Sequence, residues 1–439
     1  MRVCVAGLWH LGSVTAACLA EVGHDVIGYD EDEVVVGQLN RGEPPLFEPG
    51  LTELVRKGLT AGRLQFSTNR EAATDSADVL WIAYDTPVDG RDNADVSFVI
   101  DRARALLPTL PRGALVIVSS QLPVGSVRIG LAMTPEGSAQ GRDLHFACLP
   151  ENLRLGKAIE VFTKPDRVVA GIERTEDQIR IKALLGSFTS NILFMSIESA
   201  EMTKHAINAF LAMSVAFANE IASVCESVGA DAAEVATGLR TESRIGPGAY
   251  VSPGVAFSGG TLARDISFLT RLQEEHGLKL SLIPSVTASN DQHRAWPMHR
   301  LRVLLGNLSG RRIALLGLTY KPGTDTLRRS YAIELARMLL DAGAEVCAFD
   351  PVVRDFPADF DFPITLAPSV AGALAGADAA VIATEWPAFR DEDWATLVTT
   401  MAQPLLIDPK GHLRAQANDL PGTTYAVVGR VNTPLGDRR

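Results

Sequence analysis

Residues 2–12 read RVCVAGLWHLG, an apolar run that ends in a glycine turn, and this stretch decides the fold. A buried strand that enters a glycine turn and then a helix is the context of a dinucleotide-binding βαβ unit. We predict a helix from about Leu11 to Val22 and a second strand from His24 to Asp30. Near-continuous apolar strands of this kind indicate a parallel sheet that is covered on both faces.

The same layout returns near the other end of the chain. A strand is predicted over residues 312–317, a helix around 333–342 and a second strand over 345–350. Between the two copies, the stretch from Glu198 to Gly229 is rich in alanine and has no internal proline or glycine, which predicts one long helix. We therefore predict an α/β fold with two doubly wound, Rossmann-like domains joined by a long central helix and a helical middle domain. The predicted boundaries are 1–196, 197–305 and 306–439.

Composition narrows the classes of function. The chain has 439 residues and a net charge of -11, and it shows no basic stripe that could bind nucleic-acid phosphates. No uninterrupted apolar run of about eighteen residues is present, so we expect no membrane span. Five cysteines without metal-ligand spacing indicate a reducing compartment and no metal site. We expect a cytoplasmic protein.

The glycine turn is the predicted cofactor site. It keeps the first and third glycines of the dinucleotide fingerprint, Gly7 and Gly12, but Trp9 stands where the second glycine normally lets the backbone approach a pyrophosphate. Asp30 at the end of the second strand would accept hydrogen bonds from the adenosine ribose and repel a 2′-phosphate, which favours NAD over NADP. A βαβ unit that has lost cofactor binding is the alternative that the turn alone leaves open.

Ten short motifs extend the pattern over nearly the whole chain. In order they are Glu48-Pro49-Gly50-Leu51, Thr86-Pro87, Pro123-Val124-Gly125, Pro150-Glu151, Pro165-Asp166-Arg167, Glu201-Met202-Thr203-Lys204, Asn208-Ala209-Phe210-Leu211, Ser243-Arg244-Ile245-Gly246-Pro247, Lys321-Pro322-Gly323-Thr324-Asp325 and Thr384-Glu385-Trp386. Their order and spacing resemble the UDP-glucose/GDP-mannose dehydrogenase family. The resemblance implies an NAD-dependent oxidoreductase that acts on a CH–OH group of a nucleotide sugar.

The resemblance also implies roles for individual residues. Lys204 and Asn208 lie four apart on the predicted helix, and in the family they stabilise the alkoxide that forms as hydride leaves. Glu151 would hold a water or act as base, and Asp265 would lie near the reacting carbon. The further NAD-binding residues would be His10, Leu11, Thr86, Pro87, Gln121, Arg264 and Arg328. The substrate-binding residues would be Leu153, Arg154, Arg244, Phe257, Gly259, Gly260 and Lys321. For the charged residues, an ordinary surface position is the alternative.

One departure from the family decides the expected chemistry. The family carries its nucleophilic cysteine in a glycine-rich segment, and here Thr261 stands in that position. A thiol with an ordinary pKa of about 8.5 can present a thiolate near neutrality, whereas an alcohol needs an activating base. Gln121 also replaces a threonine that positions water, and Leu155 replaces a carboxylate. The replaced residues serve the second oxidation of a primary alcohol, and those retained serve the first.

We therefore hypothesise a single two-electron oxidation of a secondary alcohol to a ketone, at carbon 6 of a UDP- or GDP-activated long-chain sugar. The alternatives are a redox epimerase or dehydratase with tightly held NAD, an inactive nucleotide-sugar-binding protein, and a conventional 6-dehydrogenase with an unrecognised nucleophile. The resemblance implies a homodimer in which Arg244 reaches the neighbouring subunit's substrate site. A face of small residues on the predicted helix, Ala206, Ala209, Met213 and Ala216, could pack against a partner or within one subunit.

Overall fold

A computed structural model describes residues 1–87, 94–132, 143–151, 153–257, 260–327, 330–357, 360, 362–417 and 420–430. The chain forms two compact units, Met1–Ile207 and Asn208–Arg439. The division into three domains stays a prediction.

The first unit is built on an eight-stranded sheet in the order β3-β2-β1-β4-β5-β6-β7-β8. All neighbouring strands pair in parallel except β6 and β7. The strands are β1 Arg2–Ala6, β2 Asp25–Tyr29, β3 Leu64–Ser67, β4 Val79–Ile82, β5 Leu115–Val118, β6 His145–Cys148, β7 Val168–Ile172 and β8 Ile192–Met195. The first six follow the doubly wound order, which confirms the predicted fold class.

Helices cover both faces of this sheet. They are α1 His10–Glu21, α2 Glu33–Asn40, α3 Leu51–Thr60, α4 Arg70–Thr74, α5 Val96–Leu106, α6 Ala158–Thr163 and α7 Asp177–Leu185. Every residue of α1 from Leu11 to Ala20 is buried, because alanine, serine and glycine let neighbouring elements approach it from all sides. The predicted helix that opens at the glycine turn is therefore confirmed, and it is a core element.

The central helix, α8, runs from Ile197 to Val228, as its alanine-rich composition predicts. By length and composition it is the one helix among the described residues that could cross a membrane, and half of its most apolar window is buried inside the chain. A core helix of a water-soluble protein meets the same criterion. Close packing inside the protein is therefore sufficient to explain the alanine content of this helix.

The second unit repeats the doubly wound plan with a six-stranded parallel sheet in the order β11-β10-β9-β12-β13-β14. The strands are β9 Arg312–Leu316, β10 Glu345–Phe349, β11 Thr365–Leu366, β12 Ala379–Ile382, β13 Leu405–Ile407 and β14 Thr424–Ala426. The helices after α8 are α9 Ala232–Thr241, α10 Gly260–Glu275, α11 Leu282–Arg294, α12 Trp296–Leu305, α13 Tyr331–Asp341, α14 Val370–Leu374, α15 Trp394–Leu397 and α16 Arg414–Ala417. The predicted second βαβ copy is confirmed.

Most of the small-residue face of the central helix is covered within the chain. Ala209 and Ala216 are buried in a cluster with Ile266 of α10 and Val286 of α11, and Met213 packs against it. Ala206 is exposed. Of the two readings that the sequence allowed for this face, packing within one subunit therefore accounts for three of its four residues.

A buried ion pair anchors the end of the central helix. Glu226 pairs with Arg300 of α12, and its carboxylate also accepts hydrogen bonds from Trp296 Nε1 at 3.0 Å and the Gly429 amide at 2.9 Å. The two charged side chains are 10% and 18% exposed. Burial disfavours the charged form of Arg300 and lowers the pKa of its guanidinium.

We predict that Glu226→Ala lowers the free energy of unfolding by about 3 kcal/mol, because Arg300 would keep a buried charge without its partner. Denaturant unfolding measures the change. Glu220→Ala is the matched control on the same helix, since the exposed Glu220 accepts from the Ser289 hydroxyl. This control should cost less than about 1 kcal/mol. Equal losses in the two variants would contradict the assignment.

Candidate active site

The glycine turn has the close approaches that a dinucleotide site requires. Gly7 has a φ of 91°, and a Cβ there would lie 2.7 Å from Tyr84, while a Cβ at Gly12 would lie 1.7 Å from the Gly7 carbonyl oxygen. Trp9 has a φ of -75°, so its backbone needs no glycine, and its side chain is 46% exposed. The turn therefore keeps the close approaches of the first and third glycines, and an exposed indole stands at the position of the second.

Asp30 closes this turn from the end of β2. Its carboxylate accepts the Leu8 amide at 2.7 Å and the Asp32 amide at 3.1 Å, and the residue is half-buried. Each carboxylate oxygen can accept a second hydrogen bond, so Asp30 can still serve a ribose hydroxyl. Leu11 is buried and the His10 ring bonds Glu48, so contacts of these two residues with a cofactor would come from their backbone amides.

Loops at the carboxyl ends of β4 and β5 lie beside the turn. Thr86 donates from its hydroxyl to the Gln121 carbonyl at 2.8 Å, and Ser120 donates to the Tyr84 carbonyl at 2.6 Å. The structure thus brings together two predicted cofactor residues, Thr86 and Gln121, and Pro87 directly follows Thr86. The carboxyl edge of a doubly wound sheet is where such folds bind ligands.

The first turns of the central helix hold these loops. Glu201 accepts the amides of Gly125 at 2.6 Å and Val127 at 3.0 Å, and His205 Nε2 bonds the Leu122 carbonyl at 3.0 Å. Burial raises the pKa of Glu201, and the two amide hydrogen bonds oppose that rise. Sequence reasoning named Glu201 as part of a motif but gave it and His205 no role.

Lys204 and Glu151 meet beside a small cavity. Lys204 Nζ donates to the Glu151 backbone carbonyl at 2.7 Å, and the Glu151 carboxylate accepts the Leu153 amide. The cavity is lined by Gln121, Cys148, Glu151, Glu201, Lys204 and His205, among others. A cation and a carboxylate therefore lie at the carboxyl end of β6, and the Leu153 amide contacts the carboxylate.

In the second unit, Asn208 and Asp265 form a buried pair. The Asn208 amide donates to the Asp265 carboxylate, and the two residues are 6% and 1% exposed. Thr261 is exposed on the first turn of α10, four residues before Asp265, and Gly260 is the first residue of that helix. Arg264 lies half-buried on the same helix. Two of the predicted catalytic residues are thus in direct contact.

A clamp that the sequence did not reveal holds the segment before α10. Asn290 exchanges hydrogen bonds with both the amide and the carbonyl of Phe257, at 2.9 and 3.0 Å. Asn219 accepts the Gly254 amide at 2.9 Å, and His293 Nε2 bonds the Gly254 carbonyl at 2.7 Å. The predicted substrate residue Phe257 therefore stands on a fixed backbone.

The other predicted substrate residues take no part in the hydrogen bonds described above. Arg244 is exposed after α9 and pairs with Glu242 at 2.8 Å, and Arg154 is exposed in the loop before α6. Lys321 follows β9 in a loop in which its carbonyl accepts from Thr324 at 2.9 Å. Gly259 and Arg328 lie outside the described residues.

Cys148 is the one thiol among the residues that line the described cavity. Burial raises the pKa of its thiol well above the ordinary value, with Glu201 adding to the effect, so the thiol stays protonated near neutrality. All five cysteines are buried and free. Burial likewise raises the pKa of Cys4 to about 12. Neither thiol has the character of a replacement nucleophile.

Comparisons with known proteins agree with this geometry along the whole chain. Family models match residues 1–189, 198–292 and 314–415, as the NAD binding, central and UDP binding domains of one family. The chain belongs to the UDP-glucose/GDP-mannose dehydrogenase family. It is 35% identical to the UDP-glucose 6-dehydrogenase of Rhizobium meliloti (strain 1021), covering 98% of this chain and 100% of the relative. It is also 31% identical to the UDP-glucose 6-dehydrogenase TuaD of Bacillus subtilis (strain 168), covering 98% and 93%.

Solved structures show the same relationship. A UDP-glucose dehydrogenase from the archaeon Pyrobaculum islandicum superposes with a TM-score of 0.85 at 31% identity, over 98% of each chain. A UDP-D-ManNAc dehydrogenase from Pyrococcus horikoshii superposes with a TM-score of 0.84 at 27% identity, covering 98% of this chain and 99% of that structure. The protein is therefore an NAD-dependent oxidoreductase of the nucleotide-sugar dehydrogenase type, as the motifs predict.

We predict that iodoacetamide leaves the activity of the folded enzyme unchanged, because every thiol is buried. NADH production after a timed incubation measures the effect, and mass spectrometry counts the labelled cysteines. The same reagent should label all five cysteines once the chain is unfolded in guanidinium. Rapid inactivation together with labelling of Cys148 would show that a thiol takes part after all.

Proposed function

We propose that this dehydrogenase performs one two-electron oxidation, converting a secondary alcohol at carbon 6 of a nucleotide sugar into a ketone. The observation that carries the proposal is Thr261, which occupies the position of the family's nucleophilic cysteine while the groups that handle an alkoxide are retained. Lys204 lies against Glu151 in one unit, and Asn208 bonds Asp265 in the other.

The retained groups suit alcohol oxidation. NAD held at the glycine turn beside Asp30 would supply the hydride acceptor. Glu151, or a water that it holds, takes the hydroxyl proton, and the Lys204 ammonium with the Asn208 amide stabilises the negative charge that develops on the oxygen. Asp265 orients the Asn208 amide through their hydrogen bond. One alcohol and one NAD yield one ketone, one NADH and one proton.

The groups needed for a second oxidation are replaced. A second hydride transfer requires a tetrahedral adduct with a thiol or with water. Thr261 offers an exposed alcohol on the first turn of α10, and Leu155 offers an exposed aliphatic side chain where the family has a carboxylate. Cys148, the thiol at the cavity beside Glu151, is held protonated by burial. A secondary alcohol needs none of these groups, because its oxidation ends at the ketone.

The substrate is proposed to be a UDP-activated sugar with an extended chain, so that carbon 6 carries a secondary hydroxyl. The match of residues 314–415 to a UDP binding domain favours uridine over guanosine. Relatives named UDP-glucose 6-dehydrogenase make a conventional oxidation to the acid the main competing outcome. The predicted cytoplasmic location stays a prediction, with which five buried free cysteines agree.

We predict one NADH per product molecule when UDP- and GDP-sugars with primary and secondary hydroxyls at carbon 6 are tested as substrates. NADH absorbance and product mass are measured together. Lys204→Met should lower kcat by about 100-fold, because the alkoxide loses its cation. Thr261→Cys should still form ketone, since no thiol is required. Two NADH per carboxylate would contradict the proposal, and NAD that copurifies without net NADH release would indicate an epimerase or dehydratase.

The homodimer is proposed on an exposed stripe of the central helix. Phe210, Phe217 and Val224 are spaced by seven residues and are 63%, 47% and 56% exposed. Side chains at this spacing share one helix face, which suits pairing with the same face of a second copy. The resemblance to the family implies the same helix as the subunit interface, and the exposed Arg244 would exchange its ion pair with Glu242 for contacts across that interface.

We predict that Phe217→Asp converts the dimer to monomers, because a charge would be buried in an apolar interface. Light scattering after size exclusion measures the mass. Val303→Asp is the matched control, since Val303 is 59% exposed on α12 and outside the stripe, and it should remain dimeric. A monomeric wild-type chain, or a dimeric Phe217→Asp variant, would rule out this interface.

A further inference from the structure

A buried carboxylate in the first unit joins two segments that no local pattern connects. Glu48 is 4% exposed and stands in the loop between α2 and α3. Its Oε1 accepts the Ala158 amide at 2.8 Å, and its Oε2 accepts the Gly156 amide at 2.8 Å and bonds His10 Nε2 at 2.9 Å. Three donors from two distant segments therefore converge on one buried group.

Two of these donors belong to the loop that follows Glu151. Ala158 is the first residue of α6, and the residue before it, Lys157, supplies no side-chain cap. The first amides of a helix lack partners inside the helix and attract negative charge. Glu48 supplies that missing partner from the other side of the fold. It thereby fixes the end of the segment that carries Leu153 and Arg154.

The third donor belongs to the cofactor turn. His10 is the first residue of α1 and directly follows Trp9, and its side chain is 15% exposed. The N-terminus of this helix is where the fingerprint places a pyrophosphate. A shift of the turn on cofactor binding would move His10, and through Glu48 it would act on Gly156 and Ala158. Because Glu48 is buried, loss of one of its hydrogen-bond donors would raise the free energy of the folded protein.

We propose that His10 and Glu48 are positioning residues that make the order of the loop from residue 153 to residue 158 depend on occupation of the glycine turn. Cofactor binding immobilises the start of α1. The His10–Glu48 hydrogen bond then restricts the motion of the Glu48 side chain. As a result, the Gly156 and Ala158 amides stay hydrogen-bonded to Glu48 for longer. The coupling prepares the sugar side of the site once the cofactor is in place. The inference rests on NAD occupying the glycine turn and does not depend on a single oxidation.

Amide hydrogen exchange with NADH as the only ligand tests this proposal. In the wild-type protein, NADH should slow exchange of the Gly156 and Ala158 amides by about fivefold or more. His10→Phe removes the donor and should abolish that slowing at an NADH concentration that calorimetry shows to saturate the variant. His10→Gln places an amide donor near the position of Nε2 and should restore the effect.

His24→Phe is the matched control, since His24 Nε2 bonds the Leu184 carbonyl at 3.0 Å, away from Glu48. It should keep the NADH-dependent protection. The proposal is overturned if NADH gives the wild-type loop no protection, or if His10→Phe retains it. Loss of NADH binding in His10→Phe also overturns it, because His10 would then contact the cofactor itself. None of these outcomes depends on how many hydrides the enzyme transfers. The proposal can therefore fail while the proposed function holds, and the reverse is also true.

Discussion

The first three turns of the central helix organise the active edge of the NAD-binding unit. Glu201 is buried and binds two loop amides, His205 binds a carbonyl of the same loop, and one turn along Lys204 binds the carbonyl of Glu151. Burial alone would favour a neutral Glu201, as the direction of its pKa shift shows, but amide donors compensate its charge. One helix thus fixes both the loop after β5 and the loop after β6. Lys204, which we propose stabilises the substrate oxygen, is held by its hydrogen bond to the Glu151 carbonyl.

The two doubly wound sheets share a layout but differ in what they can bind. Asp350, the counterpart of Asp30, is fully buried and accepts from the amides of Leu318 and Val352 and from Trp386 Nε1. Asp30 is half-buried and keeps capacity for a ribose hydroxyl. Trp386, from the Thr384-Glu385-Trp386 motif, therefore donates to the Asp350 carboxylate in the second unit. The corresponding carboxylate of the first unit, Asp30, has no tryptophan donor among the described residues and can still accept a hydrogen bond from a ligand. Two sheets with the same strand order therefore need not both bind a cofactor.

Much of the fold was predictable from local order along the chain. The strand, turn and helix at residues 2–22 and the long helix after residue 196 follow from apolar runs, glycine and alanine, and their observed bounds agree. Lys204 and Asn208 could be named because four residues on a helix share a face and because the motifs matched a family. The family assignment itself rested on short motifs that are weak one at a time.

The parts of the site that the sequence did not predict depend on hydrogen bonds between residues far apart in the chain. Glu48 meets donors 38, 108 and 110 residues away, and His205 meets a carbonyl 83 residues away. Asn290 and His293 look like ordinary polar residues of a helix, and only their burial against the Gly254–Phe257 backbone reveals the clamp. No spacing rule in a single sequence predicts such contacts. Buried polar groups must find partners wherever the fold provides them.

The central claim is that the enzyme retains alcohol oxidation and has lost the conversion of a carbonyl to an acid. Burial keeps the Cys148 thiol protonated, and α10 carries Thr261 and no cysteine, so the described residues of the cavity and of α10 offer no thiolate for the adduct that a second hydride transfer uses. Turnover of UDP-sugars with a primary and with a secondary hydroxyl at carbon 6 in heavy-oxygen water, followed by mass spectrometry after borodeuteride trapping, tests this claim most directly, because only the primary alcohol could be carried on to an acid. The account predicts a product that lacks two hydrogens and takes up one deuterium from borodeuteride. A product that carries heavy oxygen in a carboxylate and resists borodeuteride would contradict it.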